Sequence, residues 1–326
     1  MISLGIDIGG TNTAFGFVDE SGHILAKGSV PTRPLSGGEE TVGEYISRLA
    51  EGIRALHREL SETREIAGAG VGAPCANSSS GNIEGATDLP WPSPVPLRYL
   101  LEEKLGVRVE IANDANAAAA GEMAYGAARG YKNFMMITLG TGVGGAVVCD
   151  GHLLSGSRGL ATELGHIPVF FPSERMCGCG RKGCLQTYCS SKGVISTALQ
   201  LLKEDRPEFQ DTPLRNMEDE LTPKKIYEAA EQGDKLAREI FRITGEVLGQ
   251  SCAHYAAFCD PDAIVLFGGV AKAGKYLLPA MRESFEKHVL HLYGHRVEIL
   301  FSAMPDADVA ILGAAALVHI INDKEN

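Results

Sequence analysis

Two glycine-rich turns, each set between strand-like runs, constrain this chain more than any other feature. The first, Gly9-Gly10-Thr11-Asn12, separates the apolar run Ile2–Ile8 from a second strand over 13–18. Glycine leaves backbone N–H groups open to a ligand, so such a turn forms an anion-binding concavity. Thr11 and Asn12 add side-chain donors. Asp7, at the strand end, is placed to hold Mg²⁺ through water. A plain hairpin turn is the alternative. The second turn, Gly140-Thr141-Gly142-Val143-Gly144-Gly145, formally satisfies the G-x-G-x-x-G dinucleotide pattern. That pattern requires a helix immediately afterwards. Here Ala146–Cys149 follows, a short β-branched run closed by Asp150-Gly151. The turn therefore reads as a hairpin, which sets a dehydrogenase aside. The two hairpin turns look like paired phosphate clamps. Gly268-Gly269, after a third apolar strand, either flanks the nucleoside or is a simple strand-to-helix turn.

The chain's 326 residues suggest about two domains. A net charge of -11 argues against nucleic-acid and acidic-membrane partners, which demand a basic surface. No apolar run approaches ~18 residues, and the N-terminus lacks the pattern of a signal peptide. A cytoplasmic home is expected, where the eight cysteines are reduced or metal-bound rather than paired. Strands are expected over 2–8, 13–18, 23–30, 66–72, 107–111, 134–139, 146–149, 263–267 and 296–301. Helices fit 39–60, 115–125, 274–288 and 308–321, and helical patterns dominate 222–259. Residues 73–96 and 172–190 read as loops. The layout is three strands then mixed α/β, twice over. The expected division is a smaller α/β domain over 1–116 plus 308–326 and a larger one over 117–307.

Asn113-Asp114 joins a strand to an alanine-rich helix. Asp114 suits a helix cap, and equally a general base with Asn113 orienting a hydroxyl. Phosphoryl transfer to an alcohol needs a carboxylate beside the attacking oxygen. His166, Cys177, Cys179 and Cys184 lie within nineteen residues, around a C-x-C-x4-C core. Three thiolates on a glycine-rich loop and one imidazole make a tetrahedral zinc set, structural rather than catalytic. Four unrelated side chains are the alternative, and Cys189 is a competing ligand. Cys75, Cys149, Cys252 and Cys259 are expected in the core. Glu163 either accepts hydrogen bonds from two hydroxyls of a sugar, or is a surface carboxylate or a partner for His166.

These segments together resemble the ROK family of bacterial sugar kinases, especially its glucokinase-like members. The resemblance covers essentially the whole chain. It rests on Asp7–Asn12, on Gly70–Pro74 followed by Asp88-Leu89-Pro90-Trp91, and on Asn113-Asp114-Ala115-Asn116. Gly140–Gly145, Glu163-Leu164-Gly165-His166 and Cys177-Gly178-Cys179-Gly180…Gly183-Cys184 complete it. It implies an actin-like (ribonuclease-H-like) two-domain α/β fold with a central ligand cleft. It implies ATP on the glycine turns, at Asp7, Gly9, Gly10, Thr11, Asn12, Gly140, Thr141, Gly142, Gly144, Gly268 and Gly269. It implies a hexose contacted by Gly72, Asn113, Asp114, Glu163, His166 and Gln186, with Asp114 as base toward the 6-hydroxyl. Mg²⁺, a structural Zn²⁺ and a homo-oligomer, dimer or tetramer, come with it. Glucose is the expected sugar; an N-acetylhexosamine or fructose kinase and a non-catalytic sugar sensor are the rivals. Three residues depart from the family pattern: Gln186 for a sugar-binding Glu, Asp88 for Asn, and Cys75 where glycine is frequent. The first glycine turn begins so early that no DNA-binding region is expected before it.

Overall fold

The computed structural model describes residues 1–323 apart from 35–38, 61–63, 87, 170–172, 205, 294–295 and 306–307. Its chain order is β1 (Ile2–Ile8), β2 (Asn12–Val18), β3 (Ile24–Pro31), α1 (Val42–Arg58), β4 (Ile66–Gly72), β5 (Ala76–Asn77), β6 (Asn82–Ile83), α2 (Leu97–Leu105), β7 (Val109–Ala112), α3 (Asp114–Tyr125) and β8 (Phe134–Leu139). It continues with β9 (Val143–Cys149), β10 (His152–Leu153), α4 (Gln186–Cys189), α5 (Ser191–Lys203), α6 (Pro223–Glu231), α7 (Lys235–Cys259), β11 (Ala263–Phe267), α8 (Gly274–His288), β12 (Glu298–Phe301) and α9 (Val309–Asp323). Two compact units emerge. Met1–Gly130, His152–Thr162 and Ala303–Asn326 form the first; Tyr131–Gly151 and Glu163–Ser302 form the second.

In the first unit the sheet order is β3-β2-β1-β4-β7, with β1–β2–β3 antiparallel and β1–β4–β7 parallel. β1 is buried along nearly its whole length, as a central strand covered on both faces must be. β3 alternates half-buried and exposed residues, as an outer strand does. One cover is α9, which lies almost on the backbone: a Cβ on Gly70 would sit 1.8 Å from the Ala314 carbonyl oxygen. α3 packs on α9 just as closely, with Gly313 against the Ala117 carbonyl. That packing places α3 whole in the first unit, whereas a boundary at 116 divides it. Thr41 and Glu44 form a reciprocal capping box, which starts α1 at Val42 rather than at 39.

Among the described residues of 73–96, the apolar side chains anchor the loop to the core. Ala76, Ile83, Leu89, Trp91 and Val95 are buried in the same core as Tyr45 and Leu49. Cys75 departs from its expected core position: it is exposed, with φ of 53°. A left-handed backbone explains why glycine suits this position. Cys75→Gly is expected to raise the unfolding free energy by about 1 kcal/mol, read from urea denaturation. Of the other three cysteines expected in the core, Cys252 is buried and Cys149 and Cys259 are partly exposed.

The second unit repeats the plan. β9 pairs antiparallel with β8, and β8, β11 and β12 run parallel. α7 and α8 cover this sheet, with Gly245 and Gly249 against α8 backbone. Three helices lie where none is expected: α2, α5 and the four-residue α4, which falls within the stretch 172–190 read as a loop. α2 follows Pro96, and α5 begins Ser-Lys-Gly, a weak helical opening that its Ser190 cap offsets. Among the described residues no helix is long and apolar enough to cross a membrane.

Candidate active site

The first glycine turn is held from behind. Thr32 Oγ1 donates to the Gly9 carbonyl at 2.6 Å, Arg33 Nε to the Gly10 carbonyl at 3.4 Å, and Thr32 N–H to the Thr11 carbonyl at 2.8 Å. A trans peptide is planar and sets its N–H opposite its C=O. The N–H groups of Gly10, Thr11 and Asn12 are therefore turned to the other side, as an anion cradle requires. Arg33 also donates to the Asp88 carbonyl at 3.1 Å, and a Cβ on Gly10 would stand 3.1 Å from that same oxygen. Turn and Asp88 loop thus fit against each other.

Beside the turn, β1, β4 and β7 end together, with Asp7 opposite Gly72 and Gly72 opposite Ala112. A Cβ on Gly72 would lie 3.7 Å from Asp7 Oδ1. The carboxyl ends of parallel strands are where open α/β sheets take their ligands. Asn113 and Asp114 follow β7 at this edge. Asn113, not Asp114, caps α3: its Oδ1 accepts from Asn116 N–H at 2.8 Å, which leaves its Nδ2 for a ligand. Asp114 is exposed, with Oδ1 on the Ala115 N–H at 2.9 Å. Burial, and then the charge of Asp114, push the Asp7 carboxyl up to about 6. A divalent cation relieves such repulsion, so this pair of carboxylates suits one.

In the second unit the G-x-G-x-x-G segment is the β8–β9 hairpin, Leu139 opposite Val143 and Thr138 opposite Gly144. β9 begins at Val143, earlier than the residue 146 expected, so Gly144 and Gly145 belong to the strand. The Gly144 N–H donates to Thr138 Oγ1 at 3.1 Å. The turn proper is Gly140-Thr141-Gly142. Ser191 N–H holds the Gly140 carbonyl at 2.8 Å, which turns the Thr141 N–H outward by the same planarity. Gly268 lies against this turn: its φ is 106°, and a Cβ there would be 2.5 Å from the Leu139 carbonyl oxygen. Thr141, Gly142, Gln186, Lys192 and Ser196 line a cavity of about 530 Å³ beside it.

Glu163-Leu164-Gly165-His166 presses on the same hairpin. A Cβ on Gly165 would come within 1.9 Å of the Val143 carbonyl oxygen, and one on Gly145 would strike Leu164. His166, Cys177, Cys179 and Cys184 converge, their ligand atoms all within 4.8 Å of one another. Cys177 Sγ is 3.6 Å from His166 Nδ1, and Cys179 Sγ is 3.7 Å from Cys184 Sγ. Tetrahedral zinc, with bonds of about 2.0–2.3 Å, sets its ligands at such separations, so the four residues fit it. The Arg181 N–H and side chain hold the exposed Cys179 thiol below its usual range, while burial pushes Cys184 up. Cys189 lies outside the cluster, its thiol donating to the Thr244 carbonyl. His166 Nε2 is 4.0 Å from Glu163 Oε2, and Gln186 Nε2 donates to Cys177 Sγ at 3.0 Å.

Supporting residues escaped the sequence reading: Thr32 and Arg33 behind the first turn, and Arg175 at the root of the cysteine loop. Arg175 Nη1 donates to the Thr187 carbonyl and Thr197 Oγ1, and its guanidinium lies 4.2 Å from the Tyr188 ring centroid. Nothing in their local patterns marks them, because their partners are distant in sequence.

A two-unit α/β chain whose sheets each carry a glycine hairpin has the actin-like architecture of sugar kinases. The chain belongs to the ROK family, whose pattern matches residues 3–321. It is 34% identical over 316 residues to a glucokinase of Halalkalibacterium halodurans, covering 97% of this chain and 94% of that one. It is 31% identical over 326 residues to an N-acetylmannosamine kinase of Salmonella heidelberg, covering 98% and 99%. A ROK glucokinase from Streptomyces griseus, solved with glucose and AMPPNP, matches with a TM-score of 0.74 and 32% identity, over 98% of this chain and all of that one.

Proposed function

We propose that the protein is an ATP-dependent hexose kinase that phosphorylates the 6-hydroxyl of glucose. The observation that carries this reading is the edge of the first sheet. There a turn with outward N–H groups adjoins Asp7 and Asp114, a phosphate cradle beside carboxylates. In this reading Gly9, Gly10, Thr11 and Asn12 are the phosphate contacts of the first unit, Gly140, Thr141 and Gly142 are those of the second, and Gly268-Gly269 flanks the nucleoside. The phosphate donors act through fixed backbone N–H groups, which need no rearrangement as charge develops. The glucose O6 attacks the terminal phosphorus, the bond to the ADP oxygen breaks, and Asp114 takes the O6 proton. Gly72, Asn113, Glu163, His166 and Gln186 orient the sugar. Mg²⁺ supplies charge neutralisation on the phosphates when bound, and Asp7 is the residue that would hold it.

The test is ADP release under Mg-ATP against a panel of glucose, N-acetylmannosamine, N-acetylglucosamine and fructose. Release with glucose at the highest kcat/KM is expected. Sugar binding without any ADP release would instead make the protein a sensor. The resemblance to an N-acetylmannosamine kinase gives the panel its second sugar.

Zn²⁺ on His166, Cys177, Cys179 and Cys184 supplies a closed structural node, which fixes His166 and the adjoining Glu163 for the sugar. About one zinc per chain is expected by elemental analysis. Cys179→Ser is expected to raise the sugar KM about 10- to 100-fold while the ATP KM changes little. Native protein free of zinc at full activity would remove the node from the scheme.

A further inference from the structure

The first glycine turn is anchored by a hydroxyl chain that runs back into the core of its own unit. Thr32 Oγ1 donates to the Gly9 carbonyl at 2.6 Å. Thr13 Oγ1 stands 3.0 Å from Thr32 Oγ1 and 2.6 Å from the Tyr45 hydroxyl. Thr13, Thr32 and Tyr45 are all fully buried. A carbonyl only accepts, so the Thr32 proton is committed to Gly9. Each hydroxyl has one proton. Thr32 must then accept from Thr13, and Thr13 from Tyr45. The chain has one polarity, Tyr45 to Thr13 to Thr32 to Gly9, and successive hydrogen bonds of one polarity strengthen each other. Burial raises the Tyr45 phenol far above its ordinary range, so its proton stays in place.

The same residue faces the loop after Asp88. The Tyr45 and Trp91 ring centroids are 4.4 Å apart. The Trp91 Nε1–H is buried and finds no acceptor among the described residues, so packing against Tyr45 is its anchor. Arg48 holds Tyr45 from a third side, its guanidinium 5.6 Å from the ring centroid while it pairs with Glu40 and donates to the Pro31 carbonyl.

We propose that Tyr45 is a positioning residue for the phosphoryl donor: its hydroxyl heads a one-way relay that aims the Gly10 N–H, while its ring carries Trp91. The link is geometric. Gly9 C=O and Gly10 N–H share one planar peptide, so a fixed carbonyl fixes the direction of the N–H. The proposal rests on reading Gly9–Asn12 as a phosphate turn.

Tyr45→Phe keeps the ring against Trp91 and removes only the head of the relay. The KM for Mg-ATP is expected to rise about fivefold, with the glucose KM unchanged. Thr32→Val, which cuts the last link, is expected to do the same, and Thr32→Ser to restore wild-type values. The double variant Tyr45→Phe/Thr32→Val is expected to match the Thr32→Val single rather than multiply the two effects. Backbone amide exchange over residues 8–12 is expected to speed up about fivefold in Tyr45→Phe, with α3 and α9 unchanged. Equal rises in both KM values, multiplied effects in the double variant, or unaltered exchange over 8–12 would each overturn the relay. Exchange needs no turnover. Wild-type protein inactive with ATP and every sugar would defeat the kinase reading, and exchange would still judge the relay.

Discussion

Asp114→Asn is expected to lower kcat by about 10²- to 10⁴-fold, the usual contribution of a positioned base. The amide keeps the size of the carboxylate and its contact with the Ala115 N–H, but it cannot take a proton. The Asn113 cap on Asn116 holds the start of α3 independently, so the fold survives the change. Glucose binding measured by calorimetry is expected to stay within about threefold of wild type, since a base acts chiefly in the transition state. Turnover near the wild-type rate would take the proton acceptor elsewhere. Equal losses of binding and turnover would make Asp114 a sugar ligand alone.

The second large effect has two opposite signs. Asp7→Asn is expected to reduce kcat/KM for Mg-ATP by about 10²-fold, because the variant loses the charge proposed to hold the cation. It is also expected to raise the melting temperature at pH 7 to 8 by roughly 2–4 °C in Mg²⁺-free buffer. Asp7 has its carboxyl pushed from 3.8 to about 6 on folding. The folded state therefore binds this proton more tightly than the unfolded state. Below pH 3.8 both states are protonated and the variant gains nothing. Between the two values the wild type loses stability as pH rises, and above about 6 the loss is complete. A melting temperature insensitive to the substitution at pH 8 would mean that burial and the neighbouring Asp114 charge do not penalise the Asp7 carboxylate as argued. The site would then lack the strain that a cation relieves.

Several elements were legible in the sequence because local pattern alone determines them. β4, β8, β11 and α8 lie at the residues expected, each an apolar run or stripe bounded by clear breakers. The hairpin nature of Gly140–Gly145 followed from the β-branched run after it, which no helix start tolerates well. The convergence of His166 with three cysteines was legible from spacing, since a glycine-bearing loop of eight residues can hardly keep three thiols apart. Other features are set by partners far along the chain. Asn113 rather than Asp114 caps α3 because β7 runs on to Ala112, one residue beyond its expected end. Thr32 is an ordinary residue after a strand until Gly9 and Thr13 are brought beside it. Tyr45 falls on the apolar stripe of α1, three residues after Val42 and four before Leu49, where an aromatic ring reads as core. Its hydroxyl gains a purpose only through Thr13. α5 was hidden by glycine at its third position, where a Cβ would strike the Tyr188 carbonyl carbon at 2.6 Å.

The seating of α9 on the first sheet has a consequence for biosynthesis. The ribosome delivers β1 and β4 early, yet the helix that fills the shallow grooves over Gly5 and Gly70 comes from residues 309–323. Until those residues leave the exit tunnel, the nascent sheet keeps one apolar side without its final cover. The second unit, whose strands and helices lie between 131 and 302, has its whole complement sooner. The part of the protein made first is thus the last to be completed, and a stalled or shortened chain exposes a sticky half-finished layer to chaperones and proteases.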